Sequence, residues 1–112
     1  MTPPKPPASL RTTGKHLWTA VTRGWELTTH EELLLLQACR VADLCDALAT
    51  VVGDEGPLRA GRANPAVVEL RQQQQLLGRL IVALRIPVGD EDAKASQRRG
   101  VRGFYGLRGA AS

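Results

Sequence analysis

The chain has 112 residues and a formal net charge of +4, with 43% hydrophobic but only 4% aromatic residues. Its length limits it to one modest hydrophobic core. Its hydrophobic content excludes a chain that is disordered over its whole length. With so few aromatic residues the core must be aliphatic, which favours helices over a β-sandwich or a β-barrel. The composition therefore predicts an all-α fold.

Charge is distributed unevenly along the chain. Residues 1–25 hold four basic and no acidic residues, residues 93–112 hold five basic and no acidic residues, and residues 26–92 hold six arginines against eleven acidic residues. An acidic body with two basic ends most often binds nucleic acid, because neutralising phosphates releases counterions. The alternative is that the basic ends only keep the protein in solution.

Residues 1–11 are predicted to form an extended, proline-rich basic arm. Prolines occupy positions 3, 4, 6 and 7, and proline lacks the amide donor that a helix needs. A short helix follows, which we expect Thr12 or Thr13 to cap and Gly24 to end. Its apolar face consists of Leu17, Trp18 and Val21.

A long helix is predicted from about Thr29 to Val52. Thr28 and Glu31 fit a capping box, in which each side chain bonds the other residue's backbone amide. Apolar residues then recur at spacings of four and three, a heptad-like pattern. This stripe comprises Leu34, Ala38, Val41, Cys45, Leu48 and Val52. The solvent side is predicted to carry Gln37, Arg40, Asp43 and Thr50.

Gly53–Ala63 is predicted to be a loop that carries Arg59 and Arg62. Asn64 suits a helix cap and Pro65 suits a first helical position, so a second long helix is expected to run to about Arg85. Its apolar stripe comprises Leu70, Gln73, Leu77, Leu80 and Leu84, with Val67 and Ile81 beside it.

The two long helices are predicted to form an antiparallel hairpin. Because the short helix covers only part of their apolar stripes, the pattern indicates self-association. The predicted interface between copies consists of Leu34, Val41, Leu48, Leu70, Gln73, Leu77, Leu80 and Leu84. The alternative is a compact three-helix monomer. Residues 12–87 thus form the predicted helical domain, and residues 88–112 a flexible Arg/Gly tail that suits either nucleic acid or a protein partner.

No pattern for catalysis or metal binding is present. His16 and His30 stand alone, and no P-loop, zinc-protease or nucleophile-elbow motif occurs. Cys39 and Cys45 are six residues apart, about 9 Å along a helix, which is too far to form a disulfide. We therefore predict no enzymatic activity, no cofactor and no metal. Without a signal peptide or a membrane span, we expect a soluble intracellular protein.

Several different short motifs follow one another between Gly14 and Pro87. It comprises Gly14-Lys15-His16-Leu17-Trp18, Leu27-Thr28, a leucine-rich helix with Cys39, a glycine-containing loop, Asn64-Pro65-Ala66, Leu70-Arg71 and Ile86-Pro87. In this order and spacing the chain resembles the terminase small subunit family of tailed bacteriophages. It departs from that family at Thr29-His30, where an acidic residue is common.

The resemblance implies a non-catalytic packaging factor in the cytoplasm of an infected bacterium. Such proteins form homo-oligomeric rings, bind double-stranded viral DNA and present it to the large terminase subunit, which holds the ATPase and nuclease. No helix-turn-helix partner precedes the first helix, so contacts with the DNA backbone are expected rather than groove reading.

Basic residues in both tails, the first helix and the loop are the predicted DNA contacts. They are Lys5, Arg11, Lys15, Arg23, Arg59, Arg62, Arg98, Arg99, Arg102 and Arg108. Two other readings stay open. The chain could be a small basic helical regulator that binds DNA as a dimer, or a scaffold whose basic tail meets an acidic protein without DNA.

Overall fold

The computed structural model describes residues 2–85 and 97–98. In these ranges the chain forms α1 (Thr12–Gly24), β1 (Trp25–Glu26), α2 (Thr29–Glu55), β2 (Leu58–Arg59), β3 (Arg62–Ala63), α3 (Pro65–Leu84) and β4 (Gln97–Arg98). Strand β1 pairs with β4 and β2 pairs with β3, both antiparallel. The predicted order of one short and two long helices is confirmed, whereas the short strands were not predicted. Apart from β4, the predicted tail over 88–112 lies outside the described residues.

Both long helices begin where the sequence predicted. Thr28 Oγ1 accepts a hydrogen bond from the Glu31 amide at 3.3 Å, and Glu31 Oε1 accepts one from the Thr28 amide at 2.8 Å. This reciprocal pair is the predicted capping box. Asn64 Oδ1 accepts from the Ala66 amide at 2.9 Å, with Pro65 in the first turn. The buried Asn64 also donates to the Gly56 carbonyl at 2.9 Å, which fastens the end of α2 to the start of α3.

The segment predicted as a loop contains more regular structure than expected. Helix α2 continues to Glu55, and β2 and β3 form a hairpin with Arg59 directly opposite Arg62. Ala60 and Gly61 make its two-residue turn with φ of 52° and 78°, as turns that match the twist of a hairpin require. Glycine adopts this conformation freely, whereas alanine rarely does.

Helices α2 and α3 pack against each other through the stripes identified in the sequence. From Val67 to Leu84, every residue of α3 that is at least half-buried belongs to the predicted stripe or lies beside it. The residues assigned to contacts between copies are covered to different extents within one chain. Val41 and Leu84 are 9% and 1% exposed, and the other six, Leu34, Leu48, Leu70, Gln73, Leu77 and Leu80, are half-buried. Within one chain Val41 and Leu84 are thus covered, while the assignment of the other six to contacts between copies stays a prediction.

The hydrophobic core lies at the end of the α2–α3 hairpin away from the β2–β3 turn, where α1 closes it. The arm, β1 and all three helices contribute to it. Its members are Leu10, Trp18, Val21, Trp25, Leu35, Cys39 and Leu84. Burial, and secondarily the charge of Asp43, raises the pKa of the Cys39 thiol to about 12. Cys39 is therefore a neutral packing group, and both cysteines are free thiols.

Helix α1 is attached to α2 by an unusually close contact. No side chain of α1 caps its N-terminus. Instead, Asp43 of α2 accepts hydrogen bonds from the amides of Arg11 and Gly14, both at 2.7 Å. The prediction that Asp43 lies on the solvent side is therefore wrong, because its carboxylate binds these two amides. The predicted cap at Thr12 or Thr13 is also wrong, because the N-cap residue is Arg11 and the Thr13 hydroxyl donates to Asp46.

Gly14 makes this approach possible. A Cβ atom at this position would lie 2.4 Å from Asp43 Oδ2 and 2.9 Å from the Cys39 carbonyl oxygen. The Cys39 oxygen belongs to the backbone of α2, so the two helices would have to separate to make room.

We predict that Gly14→Ala destabilises the protein by about 1–3 kcal/mol, the usual range for an overpacked contact. Gly24→Ala is the matched control, because nothing lies within 4 Å of a Cβ atom there. Urea unfolding followed by circular dichroism gives both free energies of unfolding. Equal effects of the two substitutions would contradict a tight contact at Gly14.

Candidate nucleic-acid interface

The outward face of α1 is basic and carries no acidic residue. Its inner face buries Gly14, Trp18, Val21 and Thr22 against the rest of the protein. Lys15 and Arg23 are both exposed and lie eight residues apart. That spacing separates them by about 12 Å along the axis and by about 80° around it. They can therefore contact phosphates along one side of a duplex.

The proline-rich arm is docked on α1. The indole nitrogen Nε1 of Trp18 donates a hydrogen bond to the Pro4 carbonyl at 2.9 Å. Leu10 at the end of the arm is only 4% exposed, and the prolines between are half-buried. The exposed Lys5 is thereby held next to the residue that bonds Trp18. The arm thus adds its positive charge to the end of the molecule that carries α1.

Two acidic residues of α2 are engaged by the start of α1. Asp43 binds the two amides at the start of α1, and Asp46 accepts from Thr13. A carboxylate suits a helix N-terminus, because the amides there carry partial positive charge. Residues 2–25 themselves contain no acidic side chain, and Lys5, Arg11, Lys15 and Arg23 are all exposed. The contact therefore fixes the basic helix and keeps these carboxylates off its outer face.

A second basic feature is the turn between β2 and β3. Arg59 and Arg62 face each other across the hairpin, an arrangement that costs about 0.2–1 kcal/mol for like charges. Arg59 Nη1 lies 3.8 Å from Glu55 Oε1, with both side chains well exposed. Such an exposed pair contributes little to stability. Because Asp54 and Glu55 precede it, this turn carries less net charge than α1.

The two basic features, α1 and the β2–β3 turn, lie beside different parts of α2. Asp43, which holds α1, and Glu55, beside the β2–β3 turn, are twelve residues apart on α2. That separation corresponds to about 18 Å along the helix. Lys5, Arg11, Lys15 and Arg23 thus lie on the arm and α1, whereas Arg59 and Arg62 lie on the β2–β3 hairpin.

Of the four candidate arginines in the tail, only Arg98 lies within the described residues. Its backbone pairs with that of Trp25, two residues after Arg23. Strand β4 thus returns the chain to the end of α1. Arg99, Arg102 and Arg108 lie outside the described residues. No sequence signal pointed to this pairing, because its two short strands are separated by most of the chain.

Within residues 2–85 and 97–98, no three His, Cys, Asp or Glu residues are grouped as a metal site would require. His16 and His30 are both exposed. In the same part of the chain, no helix combines the length and the apolarity needed to cross a bilayer.

Comparisons with known proteins identify no relative. No protein-family model matches the chain, and neither a curated protein nor a solved structure is significantly similar to it. The function is therefore inferred from the residues and their geometry.

We predict that Asp43→Ala lowers both stability and DNA affinity. Loss of the cap should cost about 1–2 kcal/mol, because two amides lose their acceptor. Asp46→Ala removes the same charge but only one hydroxyl contact, so it is the matched control. Thermal unfolding and duplex binding by fluorescence anisotropy provide the readouts. A DNA affinity that is the same in the two variants would contradict positioning of α1 by Asp43.

Arg62→Ala is predicted to raise stability slightly while weakening DNA binding. Removing one of two facing positive charges should stabilise the hairpin by about 0.2–1 kcal/mol. Arg59→Ala is the comparison, and should gain less stability because it also removes the contact with Glu55. Unfolding and anisotropy measurements on both variants test this. Unchanged DNA affinity in Arg62→Ala would remove the turn from the interface.

Proposed function

We propose that this protein is a terminase small subunit of a bacteriophage DNA-packaging motor. In this role it has no catalytic activity of its own. It binds double-stranded viral DNA, associates with copies of itself and presents the DNA to the large subunit, which carries the ATPase and nuclease. The observation that carries the DNA-binding part is the acid-free outer face of α1, with Lys15 and Arg23 exposed on a helix that Asp43 fixes in place.

The family assignment is supported by the positions at which the elements begin and end. The Leu27-Thr28 motif coincides with the capped start of α2, and the Asn64-Pro65 motif with the capped start of α3. Gly14, in the first motif of the resemblance, lies at the close contact between α1 and α2. The motifs that suggest the family thus lie at the starts of both long helices and at the contact between α1 and α2.

The exposed chemistry favours phosphate contacts over base reading. Lysine and arginine side chains on one helix of 13 residues can bind phosphates along a duplex. Each copy offers only a few such contacts. Repetition of the same contacts in an assembly raises the overall affinity without new chemistry. Binding is therefore expected to be modest for one copy, strongly dependent on salt and weakly dependent on sequence.

We predict that Lys15→Ala combined with Arg23→Ala weakens duplex binding and lowers its salt dependence. Loss of two phosphate contacts should reduce the slope of log affinity against log salt by about 1.8 for each bound copy. Arg71→Ala combined with Arg85→Ala removes the same charge from exposed positions outside the proposed interface. Anisotropy titrations of a labelled duplex over a salt series compare the two variants. Equal slopes for them would reject α1 as the interface.

The wild-type protein in the same titrations separates the wider alternatives. No binding at low salt would support a scaffold without DNA contact. Strong preference for one sequence by a dimer would support a transcription regulator. Stimulation of a large subunit's ATPase by the wild-type protein, together with DNA, is the expected result for a terminase partner. A large subunit unaffected by the protein would count against the assignment.

A further inference from the structure

The β2–β3 hairpin is fixed at its base and exposed everywhere else. Asn64, at the base, is fully buried. Its backbone amide donates to the Pro57 carbonyl at 2.8 Å, and its side-chain Nδ2 donates to the Gly56 carbonyl at 2.9 Å. All residues over 58–63 are exposed. The two chain segments that enter the hairpin are thus held together, while the hairpin itself gains little from burial.

Two arginines share one face of this hairpin. Arg59 is directly opposite Arg62, and Leu58 is directly opposite Ala63. Residues that are directly opposite project from the same face, with Cβ atoms about 4.5–5.5 Å apart, and successive residues alternate between faces. The two positive charges repel each other at this separation. An anion bound between them would replace that repulsion with two attractions.

A carboxylate is already held beside one of these arginines. Glu55 Oε1 accepts a hydrogen bond from Asn64 Nδ2 at 3.1 Å and lies 3.8 Å from Arg59 Nη1. The asparagine that anchors the hairpin therefore also positions this carboxylate. A guanidinium has several N–H donors in a planar fork, so one oxygen at this distance leaves donors of Arg59 for a second anion. Glu55 both orients Arg59 and competes with an anion that approaches it.

We propose that Arg59 and Arg62 together bind one phosphate group, at what we call the hairpin phosphate site. The guanidinium fork matches the spacing of phosphate oxygens and forms paired, charge-assisted hydrogen bonds with them. A phosphate group has oxygens on more than one side, so it accepts hydrogen bonds from both arginines at once. The phosphate belongs either to the DNA backbone or to a free anion, and the experiments below distinguish these two sources.

The hairpin phosphate site differs from the contacts that we assign to α1. Lys15 and Arg23 are about 12 Å apart along their helix, so each contacts a phosphate of its own. At the hairpin, two side chains share one phosphate. For the DNA source this inference rests on the proposed function, and it adds a site to it. Since neither arginine completes the site alone, the effects of removing them are not additive.

The first experiment uses inorganic phosphate as the probe and the full-length protein without DNA. Thermal unfolding is measured over a phosphate series, with sodium chloride keeping the ionic strength constant. A ligand of the folded state raises Tm as its concentration increases. We expect a larger rise in the wild type than in Arg62→Ala. Arg71→Ala, which removes an exposed arginine of α3, is the matched control and should respond as the wild type does. The general stabilisation of folded proteins by phosphate is common to all three.

A second variant is expected to bind phosphate more tightly. Glu55→Gln removes the negative charge beside Arg59 and keeps an oxygen that accepts from Asn64 Nδ2. The dissociation constant for phosphate should fall about two- to fivefold, the usual size of an interaction between exposed charges. Asp54→Asn is the matched control, because it removes the same charge from the exposed neighbouring position. Damage to the fold would weaken binding, so it cannot produce this gain.

The DNA source is tested by fluorescence anisotropy with Arg59→Ala, Arg62→Ala and the double variant. If both arginines bind one backbone phosphate, the double variant should lose about as much affinity as either single variant. All three should lower the slope of log affinity against log salt by about 0.9 for each bound copy. Two separate phosphate contacts would instead give additive losses and a decrease of about 1.8 in the double variant.

Equal phosphate responses of the wild type and Arg62→Ala would overturn the proposal, whatever the DNA result. A phosphate response that Arg62→Ala lacks, with additive losses on DNA, would identify free phosphate as the ligand. The same response in a protein that binds no duplex would keep the site and reject the DNA-binding role. Conversely, duplex binding that depends on Lys15 and Arg23 without any phosphate response would reject the site and keep that role.

Discussion

The Asp43 carboxylate accepts hydrogen bonds from the amides of Arg11 and Gly14, and the position of α1 depends on this contact. Because Gly14 has no side chain, α1 can approach the Cys39 carbonyl of α2. That approach brings Trp18 into the core, and Trp18 in turn holds the proline-rich arm through the Pro4 carbonyl. Without the contact between Asp43 and α1, neither the core at this end of the α2–α3 hairpin nor the basic residues of α1 would have a defined position.

The fold keeps its internal contacts and its candidate binding surfaces on different sides. The inner stripes of α2 and α3 pack together and α1 closes one end. The basic side chains of α1 stay exposed, as do apolar side chains of the long helices such as Leu33 and Val82. Several exposed features each carry a local cost in stability. They are the positive φ of Ala60, the facing pair Arg59 and Arg62, and a glycine within α3 at Gly78. Such local costs are expected where a surface serves function rather than folding.

Local rules predicted most of the helical structure. The Thr28 and Glu31 capping box, the Asn64 cap and the spacing of apolar residues all act over a few residues, so they are readable from the sequence. The same rules failed where the partner is distant in the chain. Asp43 was placed in solvent because its position on α2 is polar, yet it binds amides 29 and 32 residues earlier. The β2–β3 hairpin was also missed, because alanine is rare at the positive φ that Ala60 adopts.

The sequence by itself determined where the two long helices begin, the apolar stripes and the uneven distribution of charge, because each depends on neighbouring residues. It also identified every basic residue of the candidate interface. Only the tertiary structure decided that Asp43 holds the start of α1 and that the basic residues lie on two separate elements, the arm with α1 and the β2–β3 hairpin. The physical reason is that a heptad pattern specifies a partner helix but not which chain supplies it, and charge in a sequence has no position until the helices pack.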